Sequence, residues 1–137
     1  MWWIYALLSA FFSALTAIFA KVGIKGVDTD LATAIRTVVI LILAWGIAFF
    51  RGGAYTIQTL SKQNILFLCF SGIATGLSWI FYFKALQIGK VSQVAPVDKM
   101  SVAIAIILSV AFLGEPLTVK TALGALMIIG GTLVLIF

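Results

Sequence analysis

Five long apolar stretches follow one another with barely a loop between them, and this pattern constrains the chain more than any other feature. Trp2 to Ala20, Ile65 to Phe83 and Thr121 to Phe137 carry no charge, Leu31 to Phe50 carries only Arg36, and Val91 to Leu113 carries only Asp98 and Lys99. At ~1.5 Å rise per residue, segments of this length cross a hydrocarbon core of ~30 Å. Lipid offers no partner for bare backbone groups, so only helices and closed barrels span it. These stretches lack the strict polar alternation and the short length of barrel strands. The expected fold is therefore an all-α integral membrane protein with five transmembrane helices, over about 2–20, 31–50, 65–84, 91–113 and 120–137, in one domain covering residues 1–137.

The residues absent from the chain remove several function classes. It has no histidine, its single cysteine is Cys69, and its Asp and Glu residues are not clustered at ligand spacing, so no metal site is expected. Cys69 has no second thiol in the chain with which to form a disulfide. No phosphate-cradling glycine loop and no catalytic constellation is present, and neither enzyme activity nor a cofactor is predicted. The net charge of +5 does not indicate nucleic acid, because most of the Lys and Arg residues sit at helix ends, where lipid headgroups and membrane orientation explain them. Met1-Trp2-Trp3 supplies no basic leader and no small-residue cleavage site precedes Lys21, so the first stretch reads as a retained helix.

The loop charges are nearly balanced. With five helices, Arg51, Lys62 and Lys120 fall on one face of the membrane, and Lys21, Lys25, Lys84 and Lys90 on the other, with Arg36 a little deeper. Lys and Arg in short loops set the direction of insertion, so the bias here is weak. Two readings follow. Copies insert both ways and pair head to tail, giving an inverted-repeat assembly from two chains, or a single orientation is fixed by other means.

Polar residues inside the apolar stretches fall on helical faces. Tyr5, Ser9, Ser13 and Thr16 align on the first helix, and Ser71, Thr75, Ser78 and Tyr82, beside Trp79, on the third. Asp98, Ser101, Ala105 and Ser109 align on the fourth. Hydroxyls that bond their own backbone one turn back explain any one of these. The three aligned stripes together predict a hydrated substrate pathway.

Charged residues carry a stronger signal, since an Arg, Lys or Asp near a helix centre costs about 2.5–3.5 kcal/mol on insertion scales. Arg36 and Asp98 lie at similar depth, roughly 8–11 Å along their helices at ~1.5 Å per residue, where they can pair. Lys84 approaches from the same face. Lys99 points about 100° away from Asp98 on an ideal helix and is not taken as its partner. These four residues are candidates for gating or charge pairing, with a register-fixing ion pair as the structural alternative. Pro96 removes a backbone donor and predicts a kink about two residues before Asp98. Gly72 and Gly76 on the third helix, and Gly124, Gly130 and Gly131 on the last, let helix backbones approach closely and fit packing within the chain or a dimer contact. Asp28 and Asp30 before the second helix, and Glu115 before the last, read as caps and connectors.

The run from Ala85-Leu86-Gln87-Ile88-Gly89 through Val94-Ala95-Pro96-Val97-Asp98-Lys99 to Leu113-Gly114-Glu115-Pro116-Leu117-Thr118, followed by Leu123-Gly124-Ala125-Leu126-Met127-Ile128-Ile129-Gly130-Gly131, resembles the EamA-type domain of the drug/metabolite transporter superfamily. Most members of that group carry two such domains as a ten-helix inverted repeat, and the resemblance covers this chain as one half. It implies secondary transport of a metabolite, amino acid or drug-like solute, with export as the expected direction. It also implies a second copy in inverted orientation, a plasma membrane location (a bacterial inner membrane) and a multi-pass topology. The last helix is also similar, through Gly124, Leu126, Ile128 and Gly130, to the small multidrug resistance proteins, whose first-helix membrane glutamate has no counterpart here. Asp98 is then read as a charge latch. The alternatives are a subunit of a heteromeric transporter and a non-transporting assembly or regulatory protein.

Overall fold

Chain breaks at glycine and hydroxyl or carboxylate caps divide the apolar sequence into helices. The computed structural model describes residues 1–137 and contains α1 (Trp2–Gly23), α2 (Thr29–Phe50), α3 (Lys62–Ile88), α4 (Val91–Lys99), α5 (Ser101–Leu113) and α6 (Val119–Ile136), with a 3₁₀ segment over Gly53–Thr59. There are no strands, and five spans are long and apolar enough to cross a membrane, α4 and α5 together forming the 23-residue span Val91–Leu113. The fold class is as expected. Two compact units divide the chain, one formed by Phe19–Gln87 and the other by Met1–Ile18 with Ile88–Phe137.

In the Phe19–Gln87 unit, α1 gives way to a turn in which Gly26 takes φ 69°, a left-handed conformation that glycine adopts without a Cβ penalty. Asp28 then caps α2, its carboxylate accepting from the Asp30 amide at 3.4 Å. Thr29 and Thr33 are buried, and Thr33 and Thr37 each donate to the carbonyl one turn back at 2.8 Å. At the other end of α2 the amides of Arg51 and Gly52 close on Ile47 and Phe49, with Gly52 at φ 77°. The stretch expected as a plain loop before the third helix is the 3₁₀ segment, which packs against α2. The Ser61 hydroxyl accepts from the Asn64 amide at 3.1 Å and starts α3.

In the other unit, α6 packs against α4 and α5. The fourth span is divided a few residues after Pro96, where the sequence predicts a kink. The chain stays helical through Pro96 and is interrupted at Met100, whose amide bonds Val97 O at 3.0 Å. This tightening leaves the Pro96 carbonyl without its usual partner four residues on. Thr132 of α6, 3% exposed, shares its hydroxyl between Ile128 O at 2.8 Å and Pro96 O at 3.2 Å. After α5, Gly114 caps at φ 68°, and the cap of α6 is Thr118, whose hydroxyl accepts from the Thr121 amide at 3.2 Å. Glu115 was expected to help cap this helix, but the shorter Thr118 side chain sits at the right position for that bond.

Candidate functional site

The charged cluster near the start of α2 is built from α2 and the last turns of α3. Trp79 and Phe83 are four residues apart, so they share a face of α3. The Arg36 guanidinium lies over both rings, 5.1 Å from the Trp79 centroid and 4.3 Å from that of Phe83. Phe83 is 1% exposed and Leu86, one turn further on, is fully buried. Tyr82 packs its ring against Phe83 with centroids 5.7 Å apart. A desolvated cation–π contact contributes up to about 2 kcal/mol. It leaves the in-plane N–H groups of the guanidinium unanswered, and Arg36 Nη1 is buried without a hydrogen-bond partner. An orphaned buried donor costs about 1–3 kcal/mol and more when charged, so the rings stabilise the cation without completing it.

The same end of the unit is fastened by side chains that cross between helices. Lys21 donates to Leu86 O at the end of α3. Gln87 reaches the opposite way, its amide donating to Ile24 O at 3.1 Å and Val27 O at 2.8 Å after the end of α1. Each helix thus supplies the polar group that finishes the other, satisfying carbonyls that a helix end leaves open. Lys84 Nζ lies 3.9 Å from Asp30 Oδ1, with both side chains more than half exposed. A pair this open contributes about 0–1 kcal/mol.

In the other unit Lys99 Nζ lies 3.4 Å from Asp98 Oδ2. The ideal helical angle argued against this pairing. The helix ends at Lys99, and the long lysine stem at that end swings back to its neighbour. Ser101 follows the break and is exposed.

The polar residues of the first and third spans lie on α1 and α3, those of the fourth span are divided between α4 and α5 by the break at Met100, and several hydroxyls are used locally. Thr16 donates to Phe12 O and Thr75 to Ser71 O, each at 2.8 Å, and Ser109 donates to Ile106 O at 2.9 Å. Ser9, Ser13, Ser71 and Ser78 are exposed, while Trp79 and Tyr82 are half-buried. One open groove of about 640 Å³ lies along α2, lined by Ile42, Leu43, Gly46, Ile47, Phe50 and Arg51, and none of the stripe residues line it. A Cβ added at Gly72, Gly76, Gly124, Gly130 or Gly131 would meet no atom within 4 Å, so these small-residue positions are open.

Four participants escape the sequence reading: Lys21 and Gln87 as cross-helix donors, Asp30 as an ion-pair partner and Thr132 as the group that meets the broken helix. A polar Gln three residues past Lys84 in the last turn of an apolar helix was the available signal for one of them.

The family model for the EamA-like transporter family matches residues 1–137. A protein of Sinorhizobium sp., described as an uncharacterized transporter in the cobO 3′ region, is 46% identical over 134 residues, covering 98% of this chain and 95% of that protein. No solved structure matches the chain significantly. These matches point to transport across the membrane and away from an enzyme, and with five membrane-spanning helices in a single matched domain the chain belongs to the EamA-like transporter family.

Proposed function

We propose that the protein is a small-molecule secondary transporter that works as an antiparallel pair of identical chains in a bacterial inner membrane and exports its solute by alternating access. The observation that carries this reading is a single five-span domain of a transporter family whose loop charges, Arg51, Lys62 and Lys120 against Lys21, Lys25, Lys84 and Lys90, barely favour either orientation. The open glycine positions on α3 and α6 support it, because they leave helix faces able to receive another backbone closely. By their depth in the sequence Arg36, Lys84, Asp98 and Lys99 all fall toward one face of the membrane, so inverting one copy sets these four residues toward each surface. Two gates then arise from one sequence, around a pathway drawn from Ser9, Ser13, Thr16, Ser71, Thr75, Ser78, Trp79, Tyr82 and Ser101. Gly124, Gly130 and Gly131 form the packing face between copies, and Pro96 together with the break at Met100 lets the fourth span flex.

Two-sided labelling tests the pairing. Single cysteines are placed in the 51–64 and 21–30 loops of a chain with Cys69→Ser. Labelling of each site from both sides in sealed cells and inverted vesicles is the expected result. Labelling from one side only removes the self-paired inverted dimer and turns attention to a partner chain. Asp98→Asn is expected to abolish transport in proteoliposomes while the dimer survives, and loss of the folded dimer instead would reduce Asp98 to a structural role.

A further inference from the structure

We infer that Arg36, lying over the Trp79 and Phe83 rings with an unanswered Nη1, is an oxyanion site, and that the group it receives is the carboxylate of the transported solute. The inference rests on the transporter reading and names the chemistry of its substrate. The chain has four acidic side chains. Asp28 caps α2, Asp30 lies against Lys84, Asp98 lies against Lys99, and Glu115 sits in the turn before α6. The structure thus couples the helix carboxylates to lysines and leaves the arginine facing rings.

The choice of cation fits this assignment. Lysine is a point charge on a flexible stem, whereas a guanidinium is a rigid planar fork whose N–H edge matches the two oxygens of a carboxylate. Aromatic contact to the face of the plane leaves the N–H edge as the part of the fork that an acceptor must meet, and a small opening of the surrounding side chains is needed to expose the buried Nη1. The guanidinium lies over both rings, 4.3 Å from the Phe83 centroid and 5.1 Å from that of Trp79, and Nη1 is already withdrawn from solvent with no acceptor supplied. A group fixed and desolvated before its partner arrives loses little freedom on binding. Arg36 lies seven residues into α2, roughly 10 Å from its start at ~1.5 Å per residue, which a small solute entering from that face can reach. A lipid phosphate carries the same oxyanion chemistry, so the test must separate the two sources.

The probe is benzoate, with benzamide as its neutral isostere. The full chain is placed in phosphatidylcholine nanodiscs, with Trp2→Phe, Trp3→Phe and Trp45→Phe leaving Trp79 as the only indole. Benzoate is expected to change Trp79 emission saturably, with benzamide at least tenfold weaker. Arg36→Gln should lose the response, and Arg36→Lys, which keeps the charge without the fork, should weaken it at least tenfold. Equal responses to benzoate and benzamide in the unsubstituted site overturn the proposal without any Arg36 variant having to fold. An unchanged benzoate response in folded Arg36→Lys also overturns it. Saturation by phosphatidylglycerol with no response to benzoate assigns the site to lipid and overturns the solute reading. Equilibrium binding needs no antiparallel pairing, so one-sided loop labelling with intact benzoate binding would remove the dimer reading and leave this site standing.

Discussion

The two ends of the Phe19–Gln87 unit are held by different kinds of bond. At the end where α1 turns into α2 and α3 finishes, Lys21, Gln87, Lys84 and Arg36 all reach across to another helix or turn, spanning more than forty residues of sequence in every case. At the other end every side-chain bond is local: Thr56 to Gly53 O at 2.7 Å, Thr59 to Thr56 O at 2.6 Å and Asn64 to Ser61 at 3.1 Å. The first end holds helices to one another, whereas the second only shapes its own backbone. The first also contains the buried pair Phe83 and Leu86, so its polar contacts rest on packed apolar surface.

The largest expected effect tests that apolar base. Phe83→Ala should destabilise the protein by about 3–5 kcal/mol in a denaturant titration in micelles, since it opens a cavity and removes one wall of Arg36. A loss below 1 kcal/mol would mean the cross-linked end is no more cohesive than the local one. Gln87→Leu comes next, at about 1–2 kcal/mol, because it removes two hydrogen bonds that tie α3 to the turn, although Ile24 O keeps the Val27 amide. Hydrogen exchange should then rise through 20–28 and stay unchanged through 53–59. Lys84→Met should cost less than about 1 kcal/mol, as expected of an exposed ion pair. Thr56→Ala with Thr59→Ala should lie within about 0.5 kcal/mol of wild type, and a larger loss would show that the 3₁₀ segment carries tertiary structure its bonds do not reveal.

The sequence was informative where one residue's chemistry decides the outcome. Chargeless runs as long as Trp2–Ala20 are helices because lipid permits only helices and closed barrels and these runs lack the alternation of barrel strands, and Asp28 caps because a short carboxylate before an amide run does so in any fold. It was less informative where the outcome depends on which element arrives alongside. Depth along the helix says nothing about azimuth, and it is azimuth that brings Trp79 and Phe83 to the Arg36 guanidinium. Pro96 marked the fourth span as weak, yet the break settles at Met100, four residues on, where Thr132 can receive the freed carbonyl. Hydrophobic period carries no information on either choice. Gln87 is a similar case, since its partners lie 60 and 63 residues earlier in the chain.

That separation also has a meaning in time. A ribosome adding ~5–20 residues per second needs roughly 3–13 seconds to go from the first turn to Gln87. During that interval α1 and α2 have been made, while the amide that closes the turn between them has not. The hairpin therefore meets the bilayer unlatched, and its lysines act on its orientation before any bond from α3 can hold the choice in place.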